Sequence, residues 1–465
     1  MVVRLCSATV FLLLARMWLF GCDCSVSMAV STSSSRLPPR TRGDASWRGA
    51  DSGPSPLPRR GRAPRACPSP HVEAHRVRVD IDESCIDPDV LRVVRRLIRC
   101  GHEAYLVGGG VRDLLLGCRP KDFDVATGAR PEQVRHLFRN SRIIGRRFRL
   151  VHVLFGPAKV IEVATFRRNP GDSELEDGED PVLIRSDNVF GQAHEDAIRR
   201  DLTINALLYD VETREVLDFV NGMPDIQRRI VRTIGDPRTR FLEDPVRMLR
   251  AIKFAARLDL GIVPALYDAT VLLRESLLAV SRPRLFEEML KVMRCGAALR
   301  AIWLMWETGL LHVVLPEVAA LLDDAPQTSG ASDRFWRMLA EVDERTARYG
   351  APLGDMALIA VLLLEPLMEV LEGQGDRMTA AMDFAAPIFQ RMAVPRRIAD
   401  GVCRIAAMLP KLHARKQGRF SRSELYSDAI EVLSISRCCS QPTQKESAHG
   451  TLYQAIPSSL PPCGM

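Results

Sequence analysis

Apolar positions recur at helical spacing across residues 87–101, at Val90, Val93, Val94, Leu97 and Ile98, and predict an amphipathic helix. A short apolar run ending at Leu106 and Val107 reads as a buried strand. Gly108, Gly109 and Gly110 follow, then one or two helical turns over 111–116, broken by Gly117. The next strand is predicted at Asp122, Phe123, Asp124 and Val125, where alternation sends the two aspartates to one side and Phe123 and Val125 to the core. Residues 131–138 predict a helix with Pro131 in its first turn. Residues 142–155 read as a basic strand pair or one bent strand, and 160–164 as a further strand. Folding is expected to begin near Val77. From Gly222 onward the pattern is helical almost throughout, with helices predicted over 245–258, 284–295, 297–311, 355–371 and 396–419. Trp303 and Trp306 share a helical face and read as core packing, and Pro366 is expected to interrupt the very apolar 355–371 run.

At 465 residues the chain calls for two to four domains. The net charge is +7, although six acids crowd into residues 169–181, a segment without periodicity that reads as an inserted loop. The basic remainder suits a polyanion partner. Residues 31–76 hold nine arginines against three acids amid Ser, Pro and Gly, and are expected to be disordered. The apolar run from Ala8 to Cys22, interrupted by Arg16, has the length of a signal-peptide core and is too short to span a bilayer. Twelve cysteines show no CxxC pair and are expected as reduced thiols, mostly buried, as at Cys100 and Cys295. No zinc site is expected.

Chemistry enters at the glycines and aspartates. Glycine backbone can approach an anion closely, and Arg112 and Asp113 sit where a helix start favours phosphate. Two carboxylates about 7 Å apart on one strand face repel each other unless a cation intervenes, and hard oxygen donors suit Mg²⁺ when phosphates complete the shell. Either feature alone is commonplace, as a turn or a solvated strand end; the combination at this spacing is specific. Glu162 lies out of phase with Ile161 and Val163, and reads equally as a third acidic group or a strand-rim residue. Arg199, Arg200, Asp201 and Asn205 suit a triphosphate or, taken alone, a salt-bridged helix start. Lys411, Arg415, Lys416 and Arg419 read equally as an RNA-tracking run or a solvated face.

These motifs, in this order, resemble the class II nucleotidyltransferase family, the bacterial poly(A) polymerases and CCA-adding enzymes that build RNA 3′ ends. Residues 106–124 look like its glycine loop and metal-binding DxD. Residues 199–206 are similar to its RRDxTxNA motif, and 218–222 with 235–237 to the strand-turn-helix segment that follows it. Residues 243–250 are similar to the EDxxRxxR motif that contacts the incoming base, and 281–288 to the helical motif after it. The resemblance spans roughly residues 78–320, about half the chain. The run 143–153 further resembles the stretch that marks the bacterial poly(A) polymerases.

The resemblance implies an α+β chain: an N-terminal nucleotidyltransferase palm, a mixed sheet with flanking helices, followed by an all-helical neck, body and tail. The expected domains are a disordered basic extension (1–76), a catalytic head (77–212), a base-recognising neck (213–270), a helical body (271–345), an RNA-binding helical tail (346–435) and a disordered end (436–465). It implies polynucleotide adenylyltransfer from ATP to RNA 3′ ends, with Asp122 and Asp124 as ligands of two Mg²⁺ ions and Glu162 as their catalytic companion. Gly109, Gly110, Arg112, Arg200, Asp201, Asn205, Asp244, Arg247 and Arg250 are expected at the nucleotide, and Arg146, Arg147 and Arg149 at the RNA. A monomer in the cytoplasm, without stable membrane association, is the matching expectation. CCA addition to tRNA is the alternative, and a non-catalytic RNA-binding protein on the same fold is a third reading, which the paired aspartates disfavour.

Overall fold

The computed structural model describes residues 73–145, 149–156, 159–168, 189–323, 330–414 and 423–440. The acidic loop 169–181, and with it most of the expected disordered ends, lies outside the described residues.

The N-terminal part is built on one sheet. Its strands are β1 (His75–Arg78), β2 (Ala104–Val107), β3 (Asp124–Thr127), β4 (Ser141–Ile144), β5 (Leu150–Phe155), β6 (Lys159–Thr165), β7 (Leu208–Asp210) and β8 (Glu215–Asp218). They lie in the order β1-β8-β7-β2-β3-β6-β5-β4, and only β3 and β6 run parallel. Helix α1 (Pro88–Arg99) starts where Asp87 accepts from the Asp89 amide at 2.9 Å. Its buried stripe of Val90, Val93, Val94 and Leu97 joins one core with Val125, Val151, Val153, Ile161 and Val163 of the sheet. That side of the sheet is thereby closed, and the other sides of β3 and β6 present Asp124 and Glu162 to solvent. The second helix, α2 (Gly109–Leu115), links the antiparallel neighbours β2 and β3, α3 (Pro131–Leu137) lies between β3 and β4 in the chain, and α4 (Ala193–Ile198) precedes the RRD segment.

Beyond the sheet the chain is helical. A short α5 (Gly222–Gln227) and two-stranded parallel pair β9 (Ile230–Val231) and β10 (Gly261–Ile262) bracket α6 (Pro237–Glu243) and α7 (Val246–Arg257). Then follow α8 (Pro264–Leu273), α9 (Arg282–Met293), α10 (Ala298–Glu307), α11 (Leu310–Val314), α12 (Pro316–Asp323), α13 (Ala331–Tyr349), α14 (Asp355–Val370), α15 (Arg377–Met392), α16 (Arg396–His413) and α17 (Tyr426–Ser440). Trp306 packs edge-on against Trp336 at 6.5 Å, which bears out its reading as a packing residue. No helix among the described residues is long and apolar enough to cross a membrane.

Several boundaries differ from the expectations. Folded structure begins before Val77, because His75 and Arg76 pair with Asp218 and Leu217 of β8. By the same pairing β8 belongs to the catalytic sheet, so the head runs past residue 212 to at least Asp218. The expected 297–311 helix is two helices, divided at Gly309, whose left-handed φ of 77° ends the first. Pro366 does not interrupt α14; burial of 356–367 on all sides outweighs the roughly 3 kcal/mol that a mid-helix proline costs. The end expected to be disordered from residue 436 instead continues α17 to Ser440, with Ile435 and Cys439 buried in the core. Among the described cysteines, all free, Cys85, Cys100, Cys118 and Cys438 are exposed, so the expectation of mostly buried thiols is corrected.

Candidate active site

The glycine turn, the two aspartates and the RRD segment converge. Gly108 has φ 71° and ψ −134°, a backbone state that L side chains avoid. A Cβ there would lie 3.3 Å from Arg200 Nη1 and 3.7 Å from Asp124 Oδ2, so the turn is flanked by that cation and that carboxylate. Gly110 is glycine for a different reason: a Cβ would stand 2.9 Å from Phe123 Cδ1 and 3.2 Å from the Asp122 carbonyl oxygen. The first turn of α2 and the segment entering β3 thus pack backbone to backbone.

Asp124 opens β3, while Asp122 precedes the strand instead of lying in it, correcting the expected strand start. Parallel register sets Asp124 beside Glu162 of β6. The Asp124 carboxyl is held above its ordinary range by surrounding protein atoms and by the Glu162 and Asp122 charges, with Arg200 opposing. Because Asp124 stays open to solvent, repulsion is the firmer of these causes. Glu162 therefore behaves as a third acidic neighbour, and its Oε1 lies 3.3 Å from His152 Nε2. Among the described residues no three carboxylate, imidazole or thiolate groups converge closely enough to hold a metal alone. Hard carboxylate oxygens that repel one another nonetheless suit a divalent cation whose shell is completed by phosphates.

Behind these groups lies an arginine–carboxylate network. Asp196 accepts from Arg199 Nε and Arg200 Nη2, both at 3.0 Å, and the pair holds its carboxyl low against the cost of burial. Arg200 Nη1 also donates to the Asn205 carbonyl at 3.3 Å. Asp201 accepts from Arg250 Nε at 2.6 Å and from Asn205 Nδ2 at 3.2 Å. Arg240 donates to the carbonyls of Arg199 and Arg200 and to Glu243, which also accepts from Arg247 Nη1 at 2.6 Å. Asp244 Oδ2 accepts from Arg284 at 2.7 Å, whereas its Oδ1 is buried with no partner.

Arg112 is buried and internally paired. Its side chain is 2% exposed, donates to Asp113 and Asn205, and lies 4.6 Å from the centre of the Phe254 ring. With its hydrogen bonds directed inward it ties α2 to the RRD segment and α7. Arg149 is paired with Glu132 at 2.6 Å, and Arg146 and Arg147 lie outside the described residues. Sequence reasoning singled out neither Asp196 nor Arg240, and placed Asp113, Glu243 and Arg284 only as motif positions, without their role as partners that hold the site residues. The pairs of Asp196 with Arg199 and Arg200 and of Glu243 with Arg240 and Arg247 are local, whereas those of Arg240 with the Arg199 and Arg200 carbonyls and of Arg284 with Asp244 are set by tertiary contact.

Residues 104–232 match the family described as the Poly A polymerase head domain. Residues 260–322 match the one described as the probable RNA and SrmB-binding site of polymerase A. The chain is 40% identical over 380 residues to Poly(A) polymerase I of Salmonella typhi, covering 77% of this chain and 79% of that protein. It is 34% identical over 263 residues to the CCA-adding enzyme of Bacillus velezensis, covering 57% and 63%. The solved CCA-adding enzyme of Bacillus stearothermophilus in complex with CTP superposes with a TM-score of 0.56 at 27% identity, over 77% of this chain and 80% of that one. A mixed palm sheet carrying a glycine turn and acidic strand, followed by helices, is the architecture of a nucleotidyltransferase. The chain belongs to the bacterial class II nucleotidyltransferase family of poly(A) polymerases and CCA-adding enzymes, and it is a catalytic nucleotidyltransferase.

Proposed function

We propose that the chain is a template-independent polyadenylating enzyme acting on RNA 3′ ends. The RNA 3′-oxygen attacks the α-phosphorus of ATP, the bond from that phosphorus to the β-phosphate bridging oxygen breaks, and pyrophosphate leaves. Asp122 and Asp124, with Glu162 alongside, would hold two Mg²⁺ ions, which when bound activate the hydroxyl and stabilise the leaving charge. Arg200 beside Gly108, and the amides of Gly109 and Gly110, bind the triphosphate. Asp201, Asn205 and Arg250 brace that floor. Asp244 and Arg247 face the base: the unpartnered Asp244 Oδ1 accepts from the adenine amino group. Arg146, Arg147 and Arg149, which fall between β4 and β5 in sequence, contact RNA. The division into head, neck, body and RNA-binding tail, monomeric and in the cytoplasm, fits this reading.

The observation that carries the choice of adenylate is the higher similarity to the poly(A) polymerase, 40% over 77% of the chain, than to the CCA-adding enzyme, 34% over 57%. Supplying each nucleotide singly with labelled oligo(A) tests it: ATP alone is expected to give long extension. CCA synthesis remains the second reading, favoured by the superposition on a CTP-bound CCA-adding enzyme. Cytosine also carries an amino group, so Asp244 alone does not separate them.

A further inference from the structure

Register aligns four side chains across the open face of the sheet. Asp124 of β3 stands opposite Glu162 of β6, Glu162 opposite His152 of β5, and His152 opposite Arg142 of β4. Directly opposed residues share a face, so one polar row runs from the carboxylates to the edge strand. At a strand spacing of about 4.8 Å, the Arg142 backbone lies roughly 14 Å from that of Asp124. His152 touches Glu162 within the row, at 3.3 Å. Arg142 is exposed and makes no ion pair or side-chain hydrogen bond among the described residues. The flanking positions are apolar: Ala126, Ala164, Leu150 and Ile144 on one side, Val160 and Leu154 on the other. Ile144 is 43% exposed and Val160 45%, large apolar side chains in water on either shoulder of the row.

The opposite side of Asp124 is the glycine turn and Arg200. Phosphoryl transfer runs roughly in line, with the attacking and leaving oxygens on opposite sides of the phosphorus. If pyrophosphate departs toward Gly108 and Arg200, the attacking 3′-hydroxyl comes from the side of Glu162. Arg142, the cationic end of the row, suits a backbone phosphate, and the exposed Ile144 and Val160 on its shoulders suit sugars and bases, while the carboxylates at the other end leave room only for the terminal hydroxyl.

We propose that the RNA primer enters along the Arg142–His152–Glu162 row, with Arg142 holding a phosphate upstream of the terminal nucleotide and His152 positioning Glu162. This rests on the reading of the chain as an enzyme of RNA 3′ ends, but not on which nucleotide it adds. The test is binding of a labelled oligo(A) to the full chain without nucleotide, across a salt series, together with steady-state kinetics. Arg142→Ala is expected to weaken primer affinity about tenfold, to lower the slope of log affinity against log salt by about 0.7 as one phosphate contact is lost, and to leave the KM for ATP unchanged. Arg142→Lys is expected to restore most of the salt slope. His152→Ala is expected to lower kcat with little change in primer affinity, and His152→Gln to recover part of it. A raised KM for ATP in Arg142→Ala, or an unchanged salt slope, overturns the proposal. Should the wild type prefer CTP, the reading of adenylate addition fails, while the same Arg142 measurements on truncated tRNA still decide the primer path.

Discussion

At the scale of single residues, the site is a balance of like and unlike charge. Asp124 is held above its ordinary range by crowding protein and by Glu162 and Asp122, so its ionised form costs stability. Asp122→Ala and Asp124→Ala are therefore expected to abolish Mg²⁺-dependent extension with no fall in melting temperature; substantial activity in either variant would remove it from the metal site. Arg112 is different in kind. Its guanidinium sits between Asp113, Asn205 and Phe254, and Arg112→Ala strands a buried carboxylate with Arg257 as its remaining ion-pair partner. The expected cost is about 3 kcal/mol of stability, read by denaturant melts; a pure rise in the KM for ATP would instead return Arg112 to the triphosphate. Asp201 carries a pH signature. Burial works to raise its carboxyl, but Arg250 and its hydrogen bonds hold it below the usual range. A carboxyl depressed on folding contributes stability that is fully present above its unfolded pKa and is lost as the pH falls through the folded value. Asp201→Asn is accordingly expected to be less stable than wild type at neutral pH, with the gap closing on acidification; a gap independent of pH would contradict this pairing.

At the scale of elements, close approach between α2 and the entry to β3 sets the geometry. Gly110→Ala would drive a methyl against Phe123 and the Asp122 carbonyl, displacing Asp122. A loss of activity larger than the roughly 1–3 kcal/mol loss of stability typical of overpacking is expected; full activity would show that this contact is not needed. The N-terminal border is equally concrete. A chain beginning at Glu73 retains β1 and is expected to fold, whereas one beginning at Val79 leaves β8 with an unpaired edge and should melt lower. This boundary shows what was legible in sequence. Strong periodicity announced α1 and α3, and the phase of Glu162 on β6 followed from alternation. A four-residue edge strand such as β1, with only Val77 half-buried, leaves almost no apolar pattern to read. The split at Gly309 was hidden because apolar residues at helical spacing continue on either side of Glu307-Thr308-Gly309, and the survival of Pro366 depends on burial that only tertiary packing supplies.

At the scale of the whole molecule, the glycine turn, acidic strands and RRD segment form one surface on the sheet, and α7 ties Arg250 to Asp201 of the RRD segment and the buried Arg247 to Glu243. The family was legible because its motifs are short and local. The pairing of Asp196 with Arg199 and Arg200 is local, at i,i+3 and i,i+4, whereas that of Asp244 with Arg284 joins positions 40 residues apart and carried no local signal. The proposed activity of this surface is repeated addition of adenylate to RNA. The most direct test offers the purified full chain ATP or CTP, each alone, with labelled oligo(A) or with tRNA lacking its 3′ end, and resolves product length on a gel. A long ladder with ATP on both RNAs, and little or no product with CTP, is expected. Addition of two cytidines to the truncated tRNA, and of a single adenosine once ATP is also present, would contradict it.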